Sequence, residues 1–120
     1  MKKILIVEDE NVLRNALCTI FKKKGFTVYQ ANDGKEGLDT AILEHPDLII
    51  ADIAMPIMTG EKMIEAIRQD IWGKTIPIVV VTNFADFKLK FLDKNIHIII
   101  KSDTKLKEIL EKINSILYET

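Results

Sequence analysis

Cysteine is nearly absent from this 120-residue chain, where Cys18 stands alone. An internal disulfide and a cysteine-ligated zinc site are therefore excluded, and a single thiol suits a reducing compartment such as the cytoplasm. Charge excess is missing as well, with 17 Lys+Arg against 18 Asp+Glu. No basic field is available to draw in nucleic acid, because even residues 86–120, with 7 lysines, carry 6 acids. The longest wholly apolar runs are four to six residues, against the ~20 that a membrane span needs. After Met1-Lys2-Lys3 only Ile4 to Val7 precede Glu8, so no signal peptide or anchor is read. Linkers, low-complexity tracts and internal repeats are also lacking. A single domain over residues 1–120 is expected, since a chain of this size buries roughly two-thirds of its unfolded surface without help from disulfides or metals.

What is present is an alternation. Short apolar runs occur at Ile4–Val7, Leu48–Ala51, Ile78–Val81 and Ile98–Ile100, with a weaker one at Thr27–Ala31. Their continuity, in place of strict alternation, predicts strands buried on both faces, which parallel strands with helical crossovers produce. Between them, Val12, Leu13, Ala16, Leu17, Ile20 and Phe21 recur at helical spacing and end in Lys22-Lys23-Lys24 and Gly25. Leu38, Ala41 and Ile42 mark a second helix stopped by His45-Pro46, and Met63, Ile64, Ile67 and Ile71 a third after Gly60. Phe84, Phe87, Phe91 and Leu92 predict a short helix in the fourth crossover, and Leu106 to Leu117 a last one.

Ligand sites in open parallel sheets form at the carboxyl edge of the strands. The first strand runs into Glu8-Asp9, the third stops at Asp52, the fourth at Thr82 and the fifth at Lys101. Parallel strands bring all of these to one edge. Two strands delivering carboxylates, one a hydroxyl and one an ammonium make a hard-cation pocket with an oxygen nucleophile and two partners for phosphate oxygens.

Glu8-Asp9, the run Asp52-Ile53-Ala54-Met55-Pro56-Ile57-Met58-Thr59-Gly60, Thr82 and Lys101 together resemble the receiver domain of bacterial response regulators, over essentially the whole chain. The resemblance implies a flavodoxin-like doubly wound α/β fold with strand order 2-1-3-4-5 and helices on both faces. It implies Asp52 as phosphoacceptor, taking a phosphoryl group from a histidine kinase or phosphotransfer protein. It also implies one Mg²⁺ held by Asp9, Asp52 and the backbone carbonyl of Ala54, with Glu8 acting through water. Lys101 would pair with Asp52 and then with the phosphoryl group, while Thr82 would bind a second oxygen and act as the switch. The expected partner downstream is a protein effector or output domain, with a homodimer as a further option and no direct contact to nucleic acid or membrane. If Thr120 is the natural end, that output is made in trans.

Several positions depart from the family pattern. Ser102 follows Lys101 where a cis proline is usual, and a cis bond before serine costs several kcal/mol more, so this loop is expected to run differently. Ile98 stands in place of the family's switch aromatic, Asn83 in place of a small alanine after Thr82, and the stretch from Thr82 to Lys101 is about three residues short. These changes leave a second reading, a phosphorylation-independent pseudo-receiver that docks or dimerises through Phe84, Phe87 and Phe91. A haloacid dehalogenase-type phosphatase would need a second acid where Ala54 stands. A phosphate-binding loop at Gly73-Lys74-Thr75 lacks its first glycine, since that position is Arg68. His45 and His97 read as turn and strand-edge residues and Cys18 as packed. Ala54 and Phe84 are the positions expected to tune how long a phosphoryl group lasts, and neither can position an attacking water.

Overall fold

The fold is described from a computed structural model, for residues 2–83, 93–101 and 105–118. The elements are β1 (Lys3–Val7), α1 (Asn11–Lys23), β2 (Thr27–Ala31), α2 (Gly34–Glu44), β3 (Leu48–Ala51), α3 (Gly60–Gln69), a 3₁₀ turn at Trp72–Lys74, β4 (Ile78–Thr82), β5 (Ile96–Ile100) and α4 (Leu106–Leu117). The five strands form one all-parallel sheet in the order β2-β1-β3-β4-β5. The parallel strands expected from the apolar runs, and the doubly wound order that the resemblance implies, are therefore the ones observed. The helix expected around Phe84 to Leu92, the docking surface built on its phenylalanines and the bond before Ser102 lie outside the described residues.

The continuous runs are buried on both faces because each face has its own helical cover. Leu5, Val7, Ile49, Ile78 and Val80 point into one core with Ala41 of α2 and Met63, Ile64 and Ile67 of α3. Ile4, Ile6, Leu48, Ile50, Val79 and Val81 point into the other with Leu17, Cys18 and Phe21 of α1 and Ile109, Ile113 and Leu117 of α4. Successive strand residues thus alternate between two apolar layers, the origin of the unbroken hydrophobic pattern. The weaker β2 is an edge strand, half-buried over Thr27, Val28 and Tyr29.

Local chemistry sets the ends of the helices. After α1, with Lys22 and Lys23 in its last turn, Gly25 takes φ +93°, a left-handed turn that a side chain would strain. Asp33 caps α2 by accepting the N–H of Glu36 at 2.8 Å, and His45 closes it in the left-handed region with its ring stacked on Trp72, centroids 4.7 Å apart. One expectation fails: α3 ends at Gln69, and Ile71 is 87% exposed. Asp70 leaves the helical region (ψ 141°) and its carboxylate accepts the N–H of Trp72 at 3.0 Å, which turns the chain before Ile71 can face the core.

Candidate functional site

Parallel register carries the chemistry to one edge. The residue after β1, Glu8, donates its N–H to the carbonyl of Ala31 at the end of β2 (3.0 Å), and Asp52, after β3, donates its own to Val7 at the end of β1 (3.1 Å). The first two carboxylates are therefore fixed through the backbone at the ends of neighbouring strands. One carboxylate oxygen from each of Glu8, Asp9 and Asp52 lies within 4.8 Å of the others. Glu8 and Asp52 are buried and Asp9 is exposed, so the cluster opens to solvent on the Asp9 side.

Lys101, immediately after β5, reaches back into this cluster. Its Nζ donates to Glu8 Oε1 at 2.5 Å and to Asp52 Oδ2 at 3.1 Å, with Glu10 Oε2 at 3.8 Å. The other oxygen of Asp52, Oδ1, accepts the N–H of Ile53 at 2.7 Å. Burial pushes the Glu8 carboxyl up to about 7 despite the pull of Lys101 in the opposite direction. Burial also works against the Lys101 ammonium, yet its bonds to Glu8 and Asp52 outweigh that and hold it above its usual value, so it stays charged.

The loop after β3 is held in place by glycine. Gly60 donates its N–H to the carbonyl of Ile53 at 2.9 Å, and a methyl group on Gly60 would overlap the main-chain carbonyl of Asp52. Thr59 caps α3 by accepting the N–H of Lys62 at 3.3 Å. The Met58 carbonyl accepts the N–H of Gly34, which ties the loop to the start of α2. Within it Ile57 takes φ +70° and is 84% exposed.

Every residue singled out from the sequence for this site lies at this edge, though not all touch. Thr82 is fully buried at the end of β4, paired in register with Ile100. Ala54 follows Asp52 on the exposed side of the loop. Asn83 is exposed and, with Glu10, Leu13 and Lys101, lines a groove of about 400 Å³ between α1 and α4. The resemblance pairs Lys101 with Asp52, whereas the shorter bond of Lys101 is to Glu8. Two further residues at this edge carry no sequence motif: Glu10, near Lys101, and Arg14, whose Nη1 donates to the Glu8 carbonyl at 2.8 Å. Arginine is scarce here, two against 15 lysines, and both arginines bridge elements. That scarcity was the available signal.

The ligand atoms that Glu8, Asp9 and Asp52 offer are carboxylate oxygens, a set suited to a small hard divalent cation. Residues 4–114 match the response regulator receiver domain family. The chain belongs to that family. Its relatives include the "Regulator of RpoS" of Escherichia coli K12, 44% identical over 88 residues, a match covering 71% of this chain and 26% of that protein. The receiver domain thus spans about a quarter of that relative's length. Among solved structures, the chemotaxis response regulator CheY4 of Vibrio cholerae superposes with a TM-score of 0.84 at 27% identity, over 97% of this chain and 98% of that one. The response regulator TrrA of Thermotoga maritima, in complex with Mg²⁺-BeF, gives 0.81 at 27% identity over 97% and 99%. Receiver domains of two-component response regulators are signalling domains and not classical enzymes. Among the described residues no helix is long and apolar enough to cross a membrane.

Proposed function

We propose that Asp52 accepts a phosphoryl group from a phosphohistidine on a histidine kinase or phosphotransfer protein, residues 1–120 acting as one cytoplasmic receiver domain. The observation that carries this reading is the buried Asp52 carboxylate, which keeps a resident cation at 3.1 Å and a backbone N–H at 2.7 Å. An Asp52 oxygen attacks phosphorus, the P–O bond forms as the P–N bond breaks, and the imidazole nitrogen leaves with the electron pair. Lys101 then follows the charge onto a phosphoryl oxygen, and the Thr82 hydroxyl and the Ile53 N–H take others.

Asp9, Asp52 and the Ala54 carbonyl would hold Mg²⁺, with Glu8 acting through water. The ion would supply the positive charge that lets an anionic carboxylate meet an anionic donor. The cluster of three carboxylates and the likeness to a response regulator solved with Mg²⁺-BeF support that assignment. Ala54 offers no group to orient a water, so self-dephosphorylation is slow. Drawing Thr82 toward the phosphoryl group biases the packing of β4 against β5, and a protein effector or output domain reads the change.

Intact-protein mass after incubation with a small phosphodonor and Mg²⁺ tests the proposal. A phosphoryl adduct that disappears in Asp52→Ala and without Mg²⁺ is expected. No adduct, with beryllofluoride also leaving the folded protein unperturbed, would assign the chain to the phosphorylation-independent binding modules.

A further inference from the structure

A groove of about 700 Å³ runs between α2 and α3. Its floor is apolar, formed by Leu38, Ile42 and Leu43 of α2 and Ala66 of α3, while Asp39 and Asp70 stand at its sides and no Lys or Arg lines it. Leu43 is 79% exposed and Ile71, next to Asp70, 87%. Single exposed apolar residues are ordinary, but here two large ones adjoin one concave strip.

Charge makes this side of the molecule distinct. Leaving out the pocket residue Asp52, residues 34–74 hold 7 acids and 4 bases, a net −3, so the rest of the chain, Asp52 included, carries +2 against the total of −1. Of those bases, Arg68 is committed to Asp93 at 2.9 Å and to the Gly73 carbonyl at 2.8 Å. Lys35 pairs with Asp39 at 2.8 Å, but both are largely exposed, and such a pair yields readily to a better-placed cation. The groove also lies away from the acidic pocket. Helix α2 starts beside the phosphoacceptor loop and ends near the opposite sheet edge, where the N–H of Asp47 bonds the Lys3 carbonyl at the start of β1.

We propose that the α2–α3 groove docks an amphipathic helix of a partner protein, one that lays an apolar ridge against Leu38, Ile42 and Leu43 and brings lysine or arginine to Asp39 and Asp70. An apolar trough between two helices suits the helix-in-groove mode of recognition, and its acidic walls select the charge of the incoming flank. The same acids repel anionic lipid and nucleic acid. A second copy related by a two-fold axis would set one acidic strip against another. This inference does not depend on phosphorylation of Asp52.

The probe is a fluorescein-labelled 18-residue helix of leucine and lysine, with a leucine–glutamate helix of the same pattern as control, titrated by anisotropy against the full chain. Saturable binding of the lysine helix is expected, at least about tenfold weaker for Leu43→Asp and unchanged for Val12→Asp, an equally bare apolar site elsewhere, and for Asp52→Ala. Trp72, stacked on the groove residue His45, should change its emission on binding. Equal binding of the glutamate helix, equal binding by Leu43→Asp, or no saturable binding would overturn the proposal. So would a dimer of the chain alone, seen in sedimentation, that Leu43→Asp dissociates. Should Leu43→Asp fail to fold by circular dichroism, the exposed Asp39→Lys takes its place, with the same loss expected.

Discussion

The Nζ of Lys101 lies 2.5 Å from Oε1 of Glu8, a carboxylate 93 residues earlier in the chain, and closer to it than to the Asp52 carboxylate at 3.1 Å. The lysine is therefore the shared counter-ion of the two buried carboxylates of the pocket.

Removing that ammonium leaves two buried carboxylates facing each other. Lys101→Ala should destabilise the metal-free protein by about 1–3 kcal/mol, and added Mg²⁺ should recover more stability in the variant than in the natural chain. Thermal melts with and without Mg²⁺ measure both. Equal Mg²⁺ responses would mean that lysine and metal do not share the site.

Glu8, held near 7 in the folded chain against about 4.5 when unfolded, keeps a proton that the unfolded chain releases. The folded state thus binds more protons across that window, and metal-free stability should decline as pH rises from about 4.5 through about 7. Mg²⁺ competes with the same proton, so its affinity should rise over the upper part of that range. Urea titrations and calorimetry at several pH values read the two slopes, and Glu8→Gln should flatten both.

Gly60 is predicted to matter more to the chemistry than to the core. A methyl group there meets the Asp52 carbonyl, so Gly60→Ala must shift the strand end that presents Asp52, the proposed phosphoacceptor. A loss of about 1–3 kcal/mol in stability is expected, with a larger fractional loss of adduct formation by intact-protein mass. Gly25→Ala, strained but remote from the pocket, should lower stability while adduct formation in the folded fraction is kept.

Ile57, β-branched at φ +70° and 84% exposed, buries almost nothing in return for a strained backbone. Ile57→Asn should raise stability by about 0.5–1 kcal/mol, seen as a higher melting temperature. A lower one would mean that the side chain makes a stabilising contact.

Much of this architecture is legible in the sequence. The runs of β1, β3 and β4 announced burial on both faces because neighbouring residues serve two cores, and the polar residue after each strand announced the shared edge. Edge strand β2 read weakly since its side chains are only half-covered. Periodicity overran α3 because Ile71 falls four residues after Ile67, and a spacing rule has no view of the Asp70 carboxylate that turns the chain. The bond between Lys101 and Glu8 was equally hidden. Both residues were placed at the edge, but which carboxylate a long flexible side chain reaches depends on distances that spacing does not contain.

The strand order has a consequence for how the protein is made. The three strands β2, β1 and β3 are contiguous in the sheet and end by residue 51, one before Asp52, so a ribosome delivers all three carboxylates of the pocket within the first 52 residues. The ammonium that balances them arrives only once β5 has been synthesised and docked on β4. A nascent or truncated chain ending before Lys101 would carry these acids without the Lys101 ammonium, so the charge of the pocket is balanced only on completion of the sheet.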